Sequence, residues 1–164
     1  QLYSQWYKKD FKKCVQTADK ECTFEIGSNS DSERDHRRQM AFFCGHNPEP
    51  FNTNNVLQKA KQIVDEEYAV VGTWEDTNIT LTVFEEYIPK YFTGATPLYY
   101  SAKDYKNKLK PQVDEDVKEI VRQNFSKEIE FYQFCRQRLH KQYIAVKLKQ
   151  IHLKESEKSR RLNI

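Results

Sequence analysis

A chain of 164 residues with 38% hydrophobic and 31% charged residues is long enough for one domain with a modest core. It has only four glycines and neither a GxxxxGK[ST] nor a GxGxxG motif, which excludes a glycine-rich phosphate loop within these residues. No apolar run approaches the roughly 20 residues of a membrane-spanning helix, and no signal peptide opens the chain. Because the sequence begins at Gln1 rather than at a methionine, we expect it to be part of a longer protein.

The net charge of +3 conceals a gradient along the chain. Positions 62–92 carry seven acidic residues and one basic residue, whereas positions 127–164 carry ten basic and four acidic residues. A basic segment can attract a polyanion such as nucleic acid or an acidic polysaccharide. A solvated helix face has the same composition, so charge alone leaves both interpretations open.

Two cysteines, Cys14 and Cys22, bracket a short polar segment near the start of the chain. In an oxidising compartment such a pair forms a disulfide, which stabilises a domain by about 2–3 kcal/mol. Two unrelated buried thiols are the alternative. Residues 25–39 are polar and indicate a mobile loop. Cys44 and His46 stand beside two prolines, but the cysteines and histidines lack the spacing of a zinc site, so we predict no metal.

Apolar periodicity predicts a helix, a strand and a second helix between residues 53 and 92. The first helix begins at Thr53 or Asn54 and runs to about Glu67. The apolar, β-branched run Tyr68–Gly72 is typical of a strand buried on both faces, as in a parallel sheet. The second helix has one apolar face, and Pro89 should bend or end it; the face comprises Leu81, Phe84, Ile88 and Tyr91.

An acidic turn joins this predicted strand to the second helix. Glu75 and Asp76 suit a helix entry, where the helix dipole favours negative charge. In parallel sheets, ligands bind beyond the carboxyl ends of the strands. We therefore expect the turn Thr73–Thr77 to lie on the ligand-binding side of the protein.

The rest of the chain reads as a basic loop followed by helices. Residues 99–111 combine tyrosines with Lys103, Lys106, Lys108 and Lys110, which suits a phosphate-bearing aromatic ligand, although solvated loops have similar sequences. A helix opens at Val113–Asp116, and Asn124–Ser126 separates it from another. The predicted buried face of the last helix comprises Ile129, Tyr132, Cys135 and Leu139. Asn78 and Asn124 stand in N-glycosylation sequons.

Several of these segments resemble a known family when they are taken together and in order. The chain from about Phe11 to Leu148 is similar to the C-terminal half of the heparan sulfate and uronyl 2-O-sulfotransferases, with the strongest likeness to an insect member. The resemblance is carried by Phe42–His46, by Tyr68–Gly72 with Glu75, by Ile88–Thr96 and by Glu130–Phe134.

The resemblance implies an α/β fold, in which residues 1–150 form the C-terminal part of a P-loop-like sulfotransferase domain with few strands and several packed helices. Residues 151–164 would be a basic, frayed tail. It further implies a Golgi enzyme, lumenal and anchored by an N-terminal segment outside these residues, that transfers sulfate from PAPS to the 2-hydroxyl of a uronic acid. The binding partner would be an acidic glycan rather than nucleic acid. The resemblance is also compatible with a homo-oligomer.

The resemblance also assigns individual residues. Cys14 and Cys22 match a disulfide pair of the family, whereas the usual partner position of Cys44 holds proline or glutamate here, so a free Cys44 and a bond to Cys135 both stay open. Tyr99 matches a nucleotide-contacting position. The neighbouring loop lysines would assist it; they are Lys106, Lys108 and Lys110.

What the resemblance leaves out is the catalytic machinery. The phosphosulfate loop, the catalytic histidine and the 3′-phosphate residues of the family lie upstream of the matched region. We therefore predict no catalytic residue here, and expect this chain to be inactive alone. No histidine falls at the catalytic position; those present are His36, His46, His140 and His152. A secreted, non-catalytic glycan-binding module derived from the family is the alternative function.

Overall fold

The structure is a computed structural model that describes residues 10–19, 39–44, 53–102 and 112–162. Within these ranges the chain forms helices joined by short connections. The helices are α1 (Phe11–Gln16), α2 (Gln39–Cys44), α3 (Thr53–Glu67), α4 (Thr77–Tyr87), α5 (Pro89–Phe92), α6 (Ala95–Ser101), α7 (Glu115–Asn124) and α8 (Ser126–Leu162).

The prediction of an α/β fold is wrong for the described part of the chain, which contains no strand. The predicted strand, Tyr68–Gly72, connects α3 to α4 without regular secondary structure. A strand exists only when a neighbouring strand accepts and donates its backbone hydrogen bonds. Here side chains of α8 bind two of the backbone carbonyl oxygens instead: Arg138 Nη2 donates to Tyr68 O at 2.8 Å and Gln142 Nε2 donates to Ala69 O at 2.7 Å.

The described residues fall into two compact units. The first contains those up to residue 62 and residues 112–131, and the second contains residues 63–102 and 132–162. The boundary between the units passes through α3 and through α8.

In the first unit, α1 packs against α7. Lys12 pairs with Asp114, and Gln16 Nε2 donates to Asp116 Oδ2 at 3.2 Å. The core of this unit includes Phe131, whose ring centroid lies 5.1 Å from that of Phe43. Its other buried members include Cys14, Val15, Leu57, Ala60 and Val117.

In the second unit, the core forms where the 68–72 connection, α4 and α8 meet. Val70, Val83 and Leu139 are its buried centre. Partly buried side chains surround them, namely Ile79, Phe84, Ile88 and Tyr143. This core explains the apolar run at 68–72 without a sheet, because burial requires only an apolar contact surface.

Most helix boundaries agree with the sequence prediction. α3 spans Thr53–Glu67 as expected, and α7 ends at Asn124 before α8 begins at Ser126. Pro89 ends α4 as expected, since α4 stops at Tyr87 and Pro89 opens α5. α6 begins after Gly94, whose φ of 82° is a left-handed conformation that favours glycine.

Two predictions about α8 are wrong. Its buried face includes Phe131 as well as Cys135 and Leu139, whereas Ile129 is exposed. The last residues were expected to fray, yet residues 151–162 continue the helix. Among the described residues, no helix is long and apolar enough to cross a membrane.

We expect Leu139→Ala to lower the free energy of unfolding by about 2–5 kcal/mol, because it leaves a cavity in the core of the second unit. Leu148→Ala, the same substitution on the same helix at a side chain that is 52% exposed, is the control and should change it by less than about 0.5 kcal/mol. Urea denaturation monitored by circular dichroism measures both. Equal losses would contradict the assignment of Leu139 to the core.

Candidate functional site

The candidate site is the acidic turn Thr73–Thr77 with the α8 side chains that bind it, all within the second unit. The turn is held closely to α4. Thr80 Oγ1 accepts from the Thr73 amide at 3.1 Å and donates to the Thr73 carbonyl at 3.0 Å. Gly72 permits this approach, because a Cβ there would lie 2.2 Å from Thr80 Cγ2. At the other end of the turn, Thr77 Oγ1 donates to Trp74 O at 2.6 Å.

Asp76 is the electrostatic centre of the site. Arg136 Nε donates to its Oδ2 at 2.6 Å and Arg136 Nη2 to its Oδ1 at 3.4 Å. His140 Nε2 lies 3.0 Å from Oδ2, and Thr73 Oγ1 donates to the same oxygen at 3.3 Å. The hydrogen bonds from Arg136 and His140 hold the pKa of Asp76 well below its usual range, so this carboxylate is ionised.

Asp76 was predicted to interact with the start of α4, but its side chain binds α8. Asp76 does precede α4, as expected, but its side chain makes no capping hydrogen bond. The carboxylate instead binds two groups one helical turn apart on α8, Arg136 and His140. The interaction therefore ties the start of α4 to the middle of α8.

Glu75 makes the second link between the turn and α8. Tyr132 Oη donates to Glu75 Oε2 at 2.8 Å. Burial, and then this hydrogen bond, raise the pKa of Tyr132 above its usual value, so the phenol stays protonated. Beside this pair, the Trp74 side chain is 83% exposed.

The hydrogen bonds of this site hold the side chains of Arg136 and His140 in place, and they do not activate a nucleophile. Asp76 neutralises Arg136 and fixes the imidazole of His140, whose side chain is still 41% exposed. A carboxylate partner of this kind sets the orientation of a histidine ring. The described residues hold no cluster of histidine, cysteine and acidic side chains able to bind a metal ion.

Tyr99, the predicted nucleotide-contacting residue, lies on α6 in the second unit. Its side chain is 39% exposed, and its ring meets Tyr100 edge to face with centroids 5.4 Å apart. An exposed aromatic ring fits a stacking role with an adenine base. The predicted partners Lys106, Lys108 and Lys110 lie outside the described residues.

The start of α6 does not fit a phosphate group. Glu85 Oε1 accepts from the Thr96 amide at 2.9 Å, so a carboxylate already occupies this end of the helix. A phosphate group at this position would be repelled by the carboxylate of Glu85. The phosphates of a nucleotide would therefore have to be held by other residues than these.

The structure describes most of the predicted cysteine and glycosylation positions. Cys14 is disulfide-bonded, whereas Cys44 and Cys135 carry free thiols, and burial raises the pKa of Cys135 to about 11. Cys22 lies outside the described residues, so its pairing with Cys14 stays a prediction. Both sequon asparagines are exposed, with Asn78 in the first turn of α4 and Asn124 at the end of α7.

Comparison with curated proteins identifies relatives of this chain. It is 48% identical over 145 residues to the uronyl 2-sulfotransferase homolog pip of Drosophila melanogaster, which covers 84% of this chain and 28% of that protein. It is 32% identical over 124 residues to heparan sulfate 2-O-sulfotransferase 1 of Gallus gallus, covering 70% of this chain and 34% of that protein. The human protein of the same name is 35% identical over 85 residues.

The relatives in these matches are 2-O-sulfotransferases. The chain belongs to the family of uronyl and heparan sulfate 2-O-sulfotransferases, which confirms the family predicted from its motifs. It spans about a third or less of the length of the relatives it matches. No protein-family model matches the chain, and no solved structure does.

Sequence reasoning missed the interaction of Asp76 with Arg136 and His140. The four-residue spacing of Arg136 and His140 marks one face of a helix, but it does not identify a partner 60 or more residues earlier in the chain. The available signal was the position of Asp76 in the short segment between an apolar run and a helix.

We expect Asp76→Asn to lower the free energy of unfolding at pH 7 by about 1 kcal/mol, because it removes the charge that Arg136 and His140 bind at a partly exposed site. The pKa of Asp76 is lower in the folded than in the unfolded state. Its stabilisation is therefore fully present above the unfolded pKa of about 4 and is lost as the pH falls through the folded pKa.

Urea titrations of wild type and Asp76→Asn between pH 3 and 7 measure this effect. The two stabilities should converge as the solution becomes more acidic. Glu75→Gln, which keeps an acceptor for Tyr132, is the matched control and should lose less. A difference between wild type and Asp76→Asn that stays constant over this range would contradict the ionic role of Asp76.

Proposed function

We propose that the protein containing this chain is a PAPS-dependent glycan 2-O-sulfotransferase that acts on a uronic acid of a glycosaminoglycan or a related acidic glycan. The observation that carries the proposal is the 48% identity to the uronyl 2-sulfotransferase homolog pip across 84% of this chain. The weaker matches to heparan sulfate 2-O-sulfotransferases support the same chemistry on a related acceptor.

In this reaction, PAPS supplies the activated sulfuryl group. A base must deprotonate the sugar hydroxyl, and cationic groups must stabilise charge on the departing phosphate oxygen. We assign this chain to nucleotide binding, through stacking on Tyr99 and charge from Lys106, Lys108 and Lys110. The base would lie in sequence outside the matched region, so the chain alone would not catalyse transfer.

We further propose a lumenal Golgi location with an N-terminal anchor outside these residues. The disulfide of Cys14 fits an oxidising compartment. Exposure of Asn78 and Asn124 makes both sequons accessible to N-glycosylation, which occurs in the secretory pathway.

Sulfate transfer by the full-length protein tests the proposed function. The protein is incubated with labelled PAPS and with desulfated heparan sulfate, and label incorporated into the uronic acid is measured. Incorporation at the 2-position is the expected result. Tight binding of the glycan without any transfer would reject the enzyme and support a non-catalytic glycan-binding module.

Nucleotide binding tests the role assigned to Tyr99. In the full-length protein, Tyr99→Ala with Lys108→Ala should weaken PAP binding at least about fivefold, because stacking on the base and one cation are lost together. Isothermal titration calorimetry gives the dissociation constants.

Tyr91→Ala is the control, since Tyr91 is 74% exposed on α5 and has no assigned role in nucleotide binding. Its dissociation constant should equal that of wild type. Unchanged affinity in the double variant, or an equal loss in the control, would remove Tyr99 from the nucleotide site.

A further inference from the structure

The C-terminal half of α8 carries a line of cations on one face. Lys147, Lys154, Lys158 and Arg161 follow one another at intervals of seven, four and three residues. At about 100° per residue, these positions lie within about 60° of one another around the helix. We call them the basic stripe. All four side chains are exposed.

The basic stripe differs in its partners from three other cations of α8. Arg136 binds Asp76, Arg138 binds Asp65 at 2.9 Å and Lys149 binds Glu86 at 2.6 Å. None of the four stripe residues forms an ion pair within the described ranges. Lys147 has an aromatic neighbour instead, with its Nζ 5.2 Å from the ring centroid of Tyr143.

The acidic residues of the same segment flank the stripe. Glu155 and Glu157 lie on opposite sides of it, about 80° around the helix from Lys147, so neither falls within the sector that the stripe occupies. Glu155 Oε2 also lies 3.7 Å from His152 Nδ1. The stripe therefore presents a continuous line of positive charge about 21 Å long, from Lys147 to Arg161 at about 1.5 Å per residue.

The length and chemistry of the stripe select its partner. A line of this length suits a linear polyanion better than a single phosphate group. An anionic membrane surface also attracts cations, but an amphipathic helix binds it stably through an apolar face that extends beside them. Exposed aliphatic side chains do occur at Ile144, Leu148 and Ile151, but residues 154–161 are polar or charged, and three of the four stripe cations lie there.

We propose that the basic stripe binds the anionic glycan chain, as an extended subsite along which carboxylate and sulfate groups of the polymer contact successive cations. This inference rests on the proposed function for the nature of the polymer. The stripe contributes affinity for long chains, and it takes no part in sulfate transfer. Because its charges are exposed, the binding weakens as salt screens them.

The experiment compares two double variants of the full-length protein that have the same net charge. Lys154→Gln with Lys158→Gln neutralises the stripe. Lys141→Gln with Arg160→Gln neutralises two exposed cations of α8 that lie at least about 100° from every stripe residue around the helix. Binding to immobilised heparin is measured by surface plasmon resonance over a series of NaCl concentrations.

The stripe variant should bind heparin about fivefold more weakly at low salt and show a shallower dependence on salt, whereas the control variant should stay within about twofold of wild type. Equal losses in both variants would mean that only net charge matters and would overturn the proposal. Circular dichroism and thermal unfolding show whether each variant is folded.

Two further arms identify the ligand class and separate this inference from the proposed function. Stripe-dependent binding to phosphatidylserine vesicles that exceeds the binding to heparin would assign the surface to a membrane and overturn the proposal. Sulfate transfer by the wild-type protein to a short acceptor is measured independently. Its absence, together with stripe-dependent heparin binding, would reject the proposed function while leaving the glycan subsite in place.

Discussion

In the second unit, one ionised carboxylate, that of Asp76, links α4 to α8 through the two α8 side chains that share it. Asp76 stands where the 68–72 connection turns into α4, and Arg136 and His140 stand in the middle of α8. Their contact joins two segments that are 60 residues apart in sequence. Burying a carboxylate in part is tolerable only because charged and polar donors surround it.

α6 is linked to this contact through α4. α4 packs against α5 and α6, and Glu85 on α4 accepts a hydrogen bond from the Thr96 amide at the start of α6. Tyr99 therefore stands on a helix that is tied to α4, while α4 is tied to α8 by Asp76. The residue assigned to the nucleotide is thus connected to the electrostatic centre of the unit by direct contacts alone.

Local chemistry was enough to predict most helix boundaries. Pro89 ends a helix because it lacks an amide hydrogen, and Gly94 permits the left-handed turn that follows. The strand at Tyr68–Gly72 was wrong because an apolar, β-branched run reports burial rather than the identity of its hydrogen-bonding partner. Arg138 and Gln142, both distant in sequence, bind that backbone instead.

The family could be predicted because several motifs agreed in order, whereas the Asp76 contact and the basic stripe became visible only in three dimensions or over many helical turns. Together, these features describe a chain with two proposed roles. One is to bring Tyr99 to the sulfate donor, and the other is to hold an acidic polymer along α8.

The most direct test of this account is photo-crosslinking of the full-length protein with an azidoadenine analogue of PAP, followed by mass spectrometry of the labelled peptides. The account predicts labelling within residues 95–101, at or beside Tyr99, that unmodified PAP prevents. Competed label found only on peptides outside residues 93–111 would contradict it.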